Sequence, residues 1–386
     1  MDNGLSGIVP VGGGRVKFSV FNGMPYGRVQ QPGNRWPVPN QYFDPDQARR
    51  AVANCLDEVE MEDELGFDWI ACAEHHYSPF NLAPNVSVLA SALTQRVKRA
   101  KIAILGALIP LTGNPVRIAE EFAMIDNLSN GRLVAGLLRG APYEYLVYNV
   151  NPAESRTRFE EAWDLIIKAW TDTMPFGWEG RHFHYRNVSI WPRPLQQPLP
   201  PIYVSGSSKE SGEFAARKKV GLGLAFTNLP LAAEAAKHYR AKAAEYGWEP
   251  TPEQIVYQLP IHVGETDEQA HEVVRPMFAH TALTGGIVDA NRLVATSGFF
   301  GRGDAKLVER FKDLGSDEPR SVEEAIQRGT IICGGPKSVF QQVKRMREEI
   351  GCGVLNLIFD RAGAPDKKRR SIELFAKEVM PAAREL

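Results

Sequence analysis

Residues 69–76 read Trp-Ile-Ala-Cys-Ala-Glu-His-His, a short apolar run ending in a carboxylate and two adjacent imidazoles. An apolar run of this length predicts a buried strand. In parallel α/β folds, chemistry gathers at the carboxyl ends of strands. Imidazole titrates near neutrality, so Glu74, His75 and His76 are the residue types of a general acid–base site. A polar strand cap would use the same three residues. Successive strand residues face opposite sides, so one imidazole is expected at the site and the other in packing. That geometry also argues against a metal, which needs convergent ligands.

Two further strand ends carry useful chemistry. Leu137-Leu138-Arg139-Gly140 places a guanidinium beside a glycine, suited either to a phosphate or to a rim salt bridge. Ser205-Gly206-Ser207-Ser208 joins a Pro-Ile-Tyr-Val strand to a helix. Small residues and free N–H groups at a helix start suit an anion, although a serine N-cap has the same appearance. No GxGxxG follows the first strand and no Walker A lysine motif occurs, which disfavours a dinucleotide or P-loop site. Gly12-Gly13-Gly14 precedes its strand and is on the wrong side for a phosphate loop. His182-Phe183-His184 has ligand-like spacing, but no HExxH is present and no metal is expected.

These strand ends need a scaffold that brings them together. Strands are expected at Val16–Phe21, Phe67–Ala73, Lys101–Ile109, Arg132–Leu138, Ile202–Ser205, Gly221–Phe226, Ile255–Val263 and Val354–Phe359, alternating with amphipathic helices. Asn114 reads as an N-cap with Pro115 at the first helical position, and Ile118, Phe122 and Ile125 as that helix's buried stripe. Phe159, Trp163, Ile166 and Trp170 define the buried face of another helix. Eight strand–helix pairs fit a single α/β domain over residues 1–386, a (β/α)8 (TIM) barrel with insertion segments, closed by a helix ending near Met380. Residues 173–200, rich in aromatics and prolines, read as a hairpin-like insertion. Residues 281–328 form an abnormally long, glycine-containing connection, expected to be a mobile lid. The loop at 22–45, with Tyr26, Trp36, Tyr42 and Phe43, is the best candidate for shaping a substrate pocket, with packing over the barrel rim as the equal alternative.

The 386-residue chain balances 45 Lys+Arg against 46 Asp+Glu, so no net field draws it to nucleic acid or anionic membrane. No apolar run is long enough to span a bilayer, and the first residues lack signal-peptide character. Cys55, Cys72, Cys333 and Cys352 show no CxxC spacing, which is consistent with reduced thiols and a cytoplasmic location.

The motifs in order resemble the bacterial luciferase-like flavin-dependent monooxygenase family. The likeness runs through Ala73-Glu74-His75-His76-Tyr77, the stretch Ile109-Pro110-Leu111-Thr112-Gly113-Asn114-Pro115-Val116-Arg117, Leu128-Ser129-Asn130-Gly131-Arg132-Leu133 and Leu138-Arg139-Gly140. It resumes at Pro201-Ile202-Tyr203-Val204, passes Ser208 and returns weakly at Ile332–Val339. The resemblance implies reduced FMN bound at the carboxyl face of the barrel, supplied by a separate flavin reductase. With O2 it would form a C4a-peroxyflavin that oxygenates a small organic substrate. His75 matches the histidine of the flavin–oxygen chemistry, Arg139 the arginine on the flavin phosphate, and Ser208 a serine beside it. Glu74, Gly106, Ala107 and Ser207 are the further flavin-site residues the resemblance implies, with a non-prolyl cis peptide at Gly106-Ala107. It also implies a homodimer or higher homo-oligomer. Leu138, Ser207 and Pro142-Tyr143-Glu144-Tyr145 depart from the luciferase pattern, which argues against light emission and a fatty aldehyde, not against flavin. An F420-dependent oxidoreductase of the same fold and a non-catalytic flavin-binding relative are the alternatives.

Overall fold

The computed structural model describes residues 14–27, 36–225, 227–279, 285–299, 319–359 and 365–386. Eight parallel strands close on themselves in the order β1 (Lys17–Phe21), β2 (Trp69–Cys72), β3 (Lys101–Leu108), β4 (Leu133–Leu138), β7 (Ile202–Ser205), β8 (Gly221–Ala225), β9 (Ile255–Val263) and β11 (Val354–Ile358). β11 pairs back onto β1 through Lys17↔Val354 and its successors, so no barrel edge is left open. β5 (Phe176–Glu179) and β6 (His184–Val188) form the antiparallel hairpin expected within the 173–200 insertion. β10 (Ile332–Gly334) adds to the far end of β9, outside the ring.

Helices wrap the outside, and the main apolar core lies between them and the strands. Asn114 caps the helix Pro115–Leu128 by accepting from the Arg117 amide, and Ile118, Phe122 and Ile125 are buried. The last helix runs from Pro365 through a π-helical turn at Phe375–Val379 to Ala383. Its Phe375 meets Phe18 edge-on at 5.1 Å, which seals the outer layer where the first and last strands join.

The barrel interior is a second packed cluster of Trp69, Ala71, Ala103, Val134, Tyr203, Val256 and Val354. Phe21 and Leu105 lie against this plug and stay partly exposed, giving the barrel an apolar mouth. Between β3 and β4 the register slips by one residue between Ile104 and Ala107. Glycine is required there on both strands. A Cβ on Gly136 would lie 2.3 Å from the Ile104 carbonyl oxygen, and one on Gly106 would lie 2.5 Å from Leu138 Cγ. The cis peptide in this bulge is Leu105-Gly106, one bond earlier than the resemblance implied.

Of the long connection at 281–328, most of the described part is helical. Gly285–Val294 and Val322–Arg328 are helices, while 300–318 fall outside the described residues. Val294 and Phe299 are buried in a cluster with Leu108, Leu111 and Tyr145, so the first of these helices leads into a segment seated over the ends of β3 and β4.

Candidate active site

β2 ends at Cys72, and residues 73–76 leave the ladder at the barrel mouth. The two imidazoles do not part to opposite sides as strand alternation predicts. Both converge on Glu144, in a four-residue helix (Glu144–Val147) that follows Arg139-Gly140. His75 Nδ1 lies 2.9 Å from the Tyr143 hydroxyl and 3.1 Å from Glu144 Oε1. His76 Nδ1 lies 2.9 Å from Glu144 Oε2, while its Nε2 faces the Pro84 carbonyl at 3.1 Å and the Tyr148 hydroxyl at 3.2 Å. His75 keeps 27% of its side-chain surface exposed against 9% for His76, so His75 is the more accessible of the two.

The short helix is held from several directions. The Asn291 side chain accepts from the Tyr143 amide at 3.0 Å, and the Tyr145 hydroxyl donates to the Arg139 carbonyl at 2.7 Å. Tyr145 also meets Phe299 edge-on at 5.3 Å. The segment beyond Gly285 therefore braces the carboxylate that the histidines share.

The electrostatics follow from burial and this sharing. Burial pushes the Glu74 carboxyl up, and the like charge of Glu144 adds to it; His76 offsets only part, leaving it at about 7. Among the described residues, Glu74 Oε1 has no hydrogen-bond partner. Burial also disfavours charge on Glu144, but hydrogen bonds from His75 and His76 outweigh it and hold this carboxyl below its usual range. His76 mirrors it: burial opposes protonation, yet Glu144 and Glu74 raise it above an ordinary histidine.

Aromatic side chains wall the histidines. Trp36 donates from its indole to the His76 carbonyl at 3.2 Å and packs edge-on to Tyr143 at 5.1 Å. Phe80 lies 5.1 Å from the His75 ring. Trp36 thus brings its loop against the histidine segment. Tyr26 is buried and receives the Asp44 amide at the root of the following helix; residues 28–35 lie outside the described set.

Arg139 and the serine turn form a second pole. The Arg139 guanidinium lies over the Phe299 ring, donates to the Phe299 carbonyl at 3.2 Å and reaches toward Ser155 Oγ at 3.5 Å. Ser208 caps the helix Lys209–Lys218 by accepting from the Ser211 amide. Burial raises Glu210, in that helix's first turn, but hydrogen bonds from its own backbone and Ser208, then Arg156 and Arg139, leave it lowered. Arg139 and the Ser207–Ser208 turn therefore stand within one electrostatic neighbourhood. Gly140 and Gly206 both hold positive φ, and a Cβ on Gly206 would meet Ser211 Oγ at 2.4 Å, so the turn admits no larger residue.

His182 and His184 do not converge: His182 bonds Thr157 and His184 is exposed. Among the described residues no group of three His, Cys, Asp or Glu is placed to hold a metal ion, and no helix is long and apolar enough to cross a membrane.

A family model described as luciferase-like monooxygenase matches residues 36–352. The chain belongs to this family. Among relatives, the oxygenase component of a flavin-dependent trigonelline monooxygenase of Acinetobacter baylyi is 26% identical over 84% of this chain and 87% of that protein. An uncharacterised Sinorhizobium fredii protein, y4wF, is 33% identical over 43% of this chain, which spans only 48% of that relative. The solved oxygenating constituent of 3,6-diketocamphane monooxygenase of Pseudomonas putida, in complex with FMN, superposes with a TM-score of 0.73 at 20% identity, covering 95% and 98% of the two chains. An F420-dependent secondary alcohol dehydrogenase superposes at 0.70 with 15% identity, covering 96% and 99%. At these identities the structural likenesses establish the family's barrel fold and nothing finer.

The side chains fit the flavin mononucleotide that the sequence resemblance implies. The mouth offers an apolar floor in Phe21 and Leu105, a glycine-lined bulge at Gly106-Ala107, and a cationic, hydroxyl-bearing edge in Arg139, Ser207 and Ser208. Sequence reasoning missed Glu144 and Tyr143 as site residues. The only signal was their departure from the luciferase pattern directly after Arg139-Gly140.

Proposed function

We propose that this chain is the oxygenase component of a two-component flavin monooxygenase. It takes reduced FMN from a separate reductase, uses O2 and oxygenates a small organic substrate. The observation that carries the reading is His75: its Nδ1 is engaged by Tyr143 and Glu144, its ring is partly exposed, and it stands at the barrel mouth beside an aromatic wall.

When bound, reduced FMN supplies the electrons that activate dioxygen. The protein's part is binding, proton handling and exclusion of water. Arg139 and the Ser207–Ser208 turn hold the phosphate by charge-assisted hydrogen bonds and the helix N-terminus. The Gly106 bulge lets a flat ring system approach the backbone, and Glu74 and Ala107 complete the pocket. His75 holds or takes a proton at the nitrogen not bonded to Glu144. Trp36, Tyr77, Phe80 and Tyr143 line the approach and select an organic substrate with apolar surface. A second copy of the chain is proposed to cover the exposed apolar side chains of Val88, Met124 and Leu128 on neighbouring helices.

Anaerobic titration with reduced FMN and with reduced F420 tests the reading. Tight binding of reduced FMN with none of F420 is expected; the reverse preference would assign the chain to the hydride-transferring branch.

A further inference from the structure

We propose that Glu144 is the positioning residue of the site, fixing His75 as its Nδ1–H tautomer and leaving Nε2 as the nitrogen that exchanges the reaction's proton. The argument is one of donors and acceptors. An ionised carboxylate has no proton to give, so Nδ1 of His75, 3.1 Å from Glu144 Oε1, carries the hydrogen. The Tyr143 hydroxyl, 2.9 Å from the same nitrogen, turns its own proton toward Glu144 and accepts from the imidazole. The ring's free lone pair is then on Nε2, for which no hydrogen bond is found among the described residues.

The same logic sets His76. Its Nδ1 faces Glu144 Oε2 and its Nε2 faces the Pro84 carbonyl, so acceptors stand at both nitrogens and the ring is an imidazolium. The Tyr148 hydroxyl, 3.2 Å from Nε2, accepts from it as well. Among the described residues, the titratable groups facing the two rings are Glu74 and Tyr77 from the β2 end and Tyr143, Glu144 and Tyr148 from the short helix and its flanks. His76 and Glu144 neutralise each other. When His75 exchanges a proton at Nε2, Glu144 Oε1 keeps hold of its Nδ1–H, orienting the ring as the carboxylate of a catalytic triad does. A buried ion pair brings little net stability over apolar packing, so the shared carboxylate is best explained by orientation and charge.

The proposal rests on the flavin reading for its reaction, but its structural half is measurable without flavin. Nitrogen-15 NMR of the imidazoles in the ligand-free protein at neutral pH should show His75 protonated on Nδ1 and bare at Nε2, and His76 protonated on both. In Glu144→Gln, His75 should become a mixture of tautomers and His76 should lose its charge. The variant should bind reduced FMN within about threefold of wild type while coupled turnover falls roughly 10²–10⁴-fold, the range of lost proton-transfer assistance. A wild-type His75 carrying its proton on Nε2 would overturn the proposal, as would a Glu144→Gln spectrum identical to wild type. Should the variant not fold, the wild-type spectrum alone decides. Expected tautomers in a protein that binds no reduced FMN would sink the flavin reading and leave the tautomer assignment standing.

Discussion

The Arg139 guanidinium carbon lies 4.1 Å from the centre of the Phe299 ring, and its Nη1 donates to the Phe299 carbonyl. The end of β4 is thereby tied to the segment that closes over the short Glu144 helix. An anion arriving at Arg139 meets a guanidinium already oriented by a ring face and a carbonyl.

Arg139→Ala should therefore weaken binding of reduced FMN by about one to two orders of magnitude, since a charge-assisted contact contributes roughly 1.5–3 kcal/mol. Reduced riboflavin, which lacks the phosphate, should bind wild type weakly and lose little further in the variant. Anaerobic fluorescence titration measures both. Equal affinity of wild type for the two flavins would remove the phosphate from Arg139.

Glu74 gives a stability prediction with a definite sign. Its folded carboxyl stands near 7, above its ordinary value of 4.5, so the folded state holds the proton more tightly than the unfolded chain. Stability from this group is full below the ordinary value and is lost as pH rises through about 7. Glu74→Gln should flatten that decline, with a relative gain at pH 8 over pH 4 on the order of 2–3 kcal/mol. Denaturant melts of both proteins across this range check it; parallel pH profiles would mean the carboxyl is not held protonated.

Gly136 and Gly113 should separate sharply. A methyl at 136 would press on the Ile104 carbonyl, whereas among the described residues nothing lies within 4 Å of one at 113. Gly136→Ala is expected to cost about 2–4 kcal/mol, in the range of strain at a closed core site. Gly113→Ala should change stability by less than about 0.5 kcal/mol. Urea midpoints with an unchanged m-value would report it.

Much of this was legible from local pattern. The eight barrel strands are short apolar runs bounded by helical periodicity, and Asn114-Pro115 announced its helix because capping and proline geometry are local. The pairing of His75 with His76 was not legible. Alternation holds only while the backbone is paired, and β2 ends at Cys72, so residues 73–76 no longer obey it. Glu144 was hidden for a different reason: it sits 68 residues from His76 on a helix too short for any periodicity. The described part of the long connection read as loop because of its glycines, yet Gly285–Val294 is helical and leads to the buried Val294 and Phe299.

His76→Ala should act mainly on stability. It removes the cation that offsets Glu144 and leaves a buried carboxylate with fewer donors, a change that costs about 3–5 kcal/mol when a buried pair is broken. Calorimetry at pH 7 should show the loss, and it should shrink at acidic pH as Glu144 takes up a proton. A variant as stable as wild type at pH 7 would refute the ion pair.

The central claim is that His75 serves oxygen activation by bound reduced FMN. It is tested most directly by mixing the protein–FMNH2 complex with oxygenated buffer and following flavin re-oxidation together with hydrogen peroxide release, for wild type and His75→Ala. Wild type should release peroxide at least about tenfold more slowly than free reduced FMN, because the site keeps water out and the proton in place. His75→Ala should bind reduced FMN nearly as well yet release peroxide far faster than wild type. Identical re-oxidation and peroxide traces for the two proteins would contradict the account.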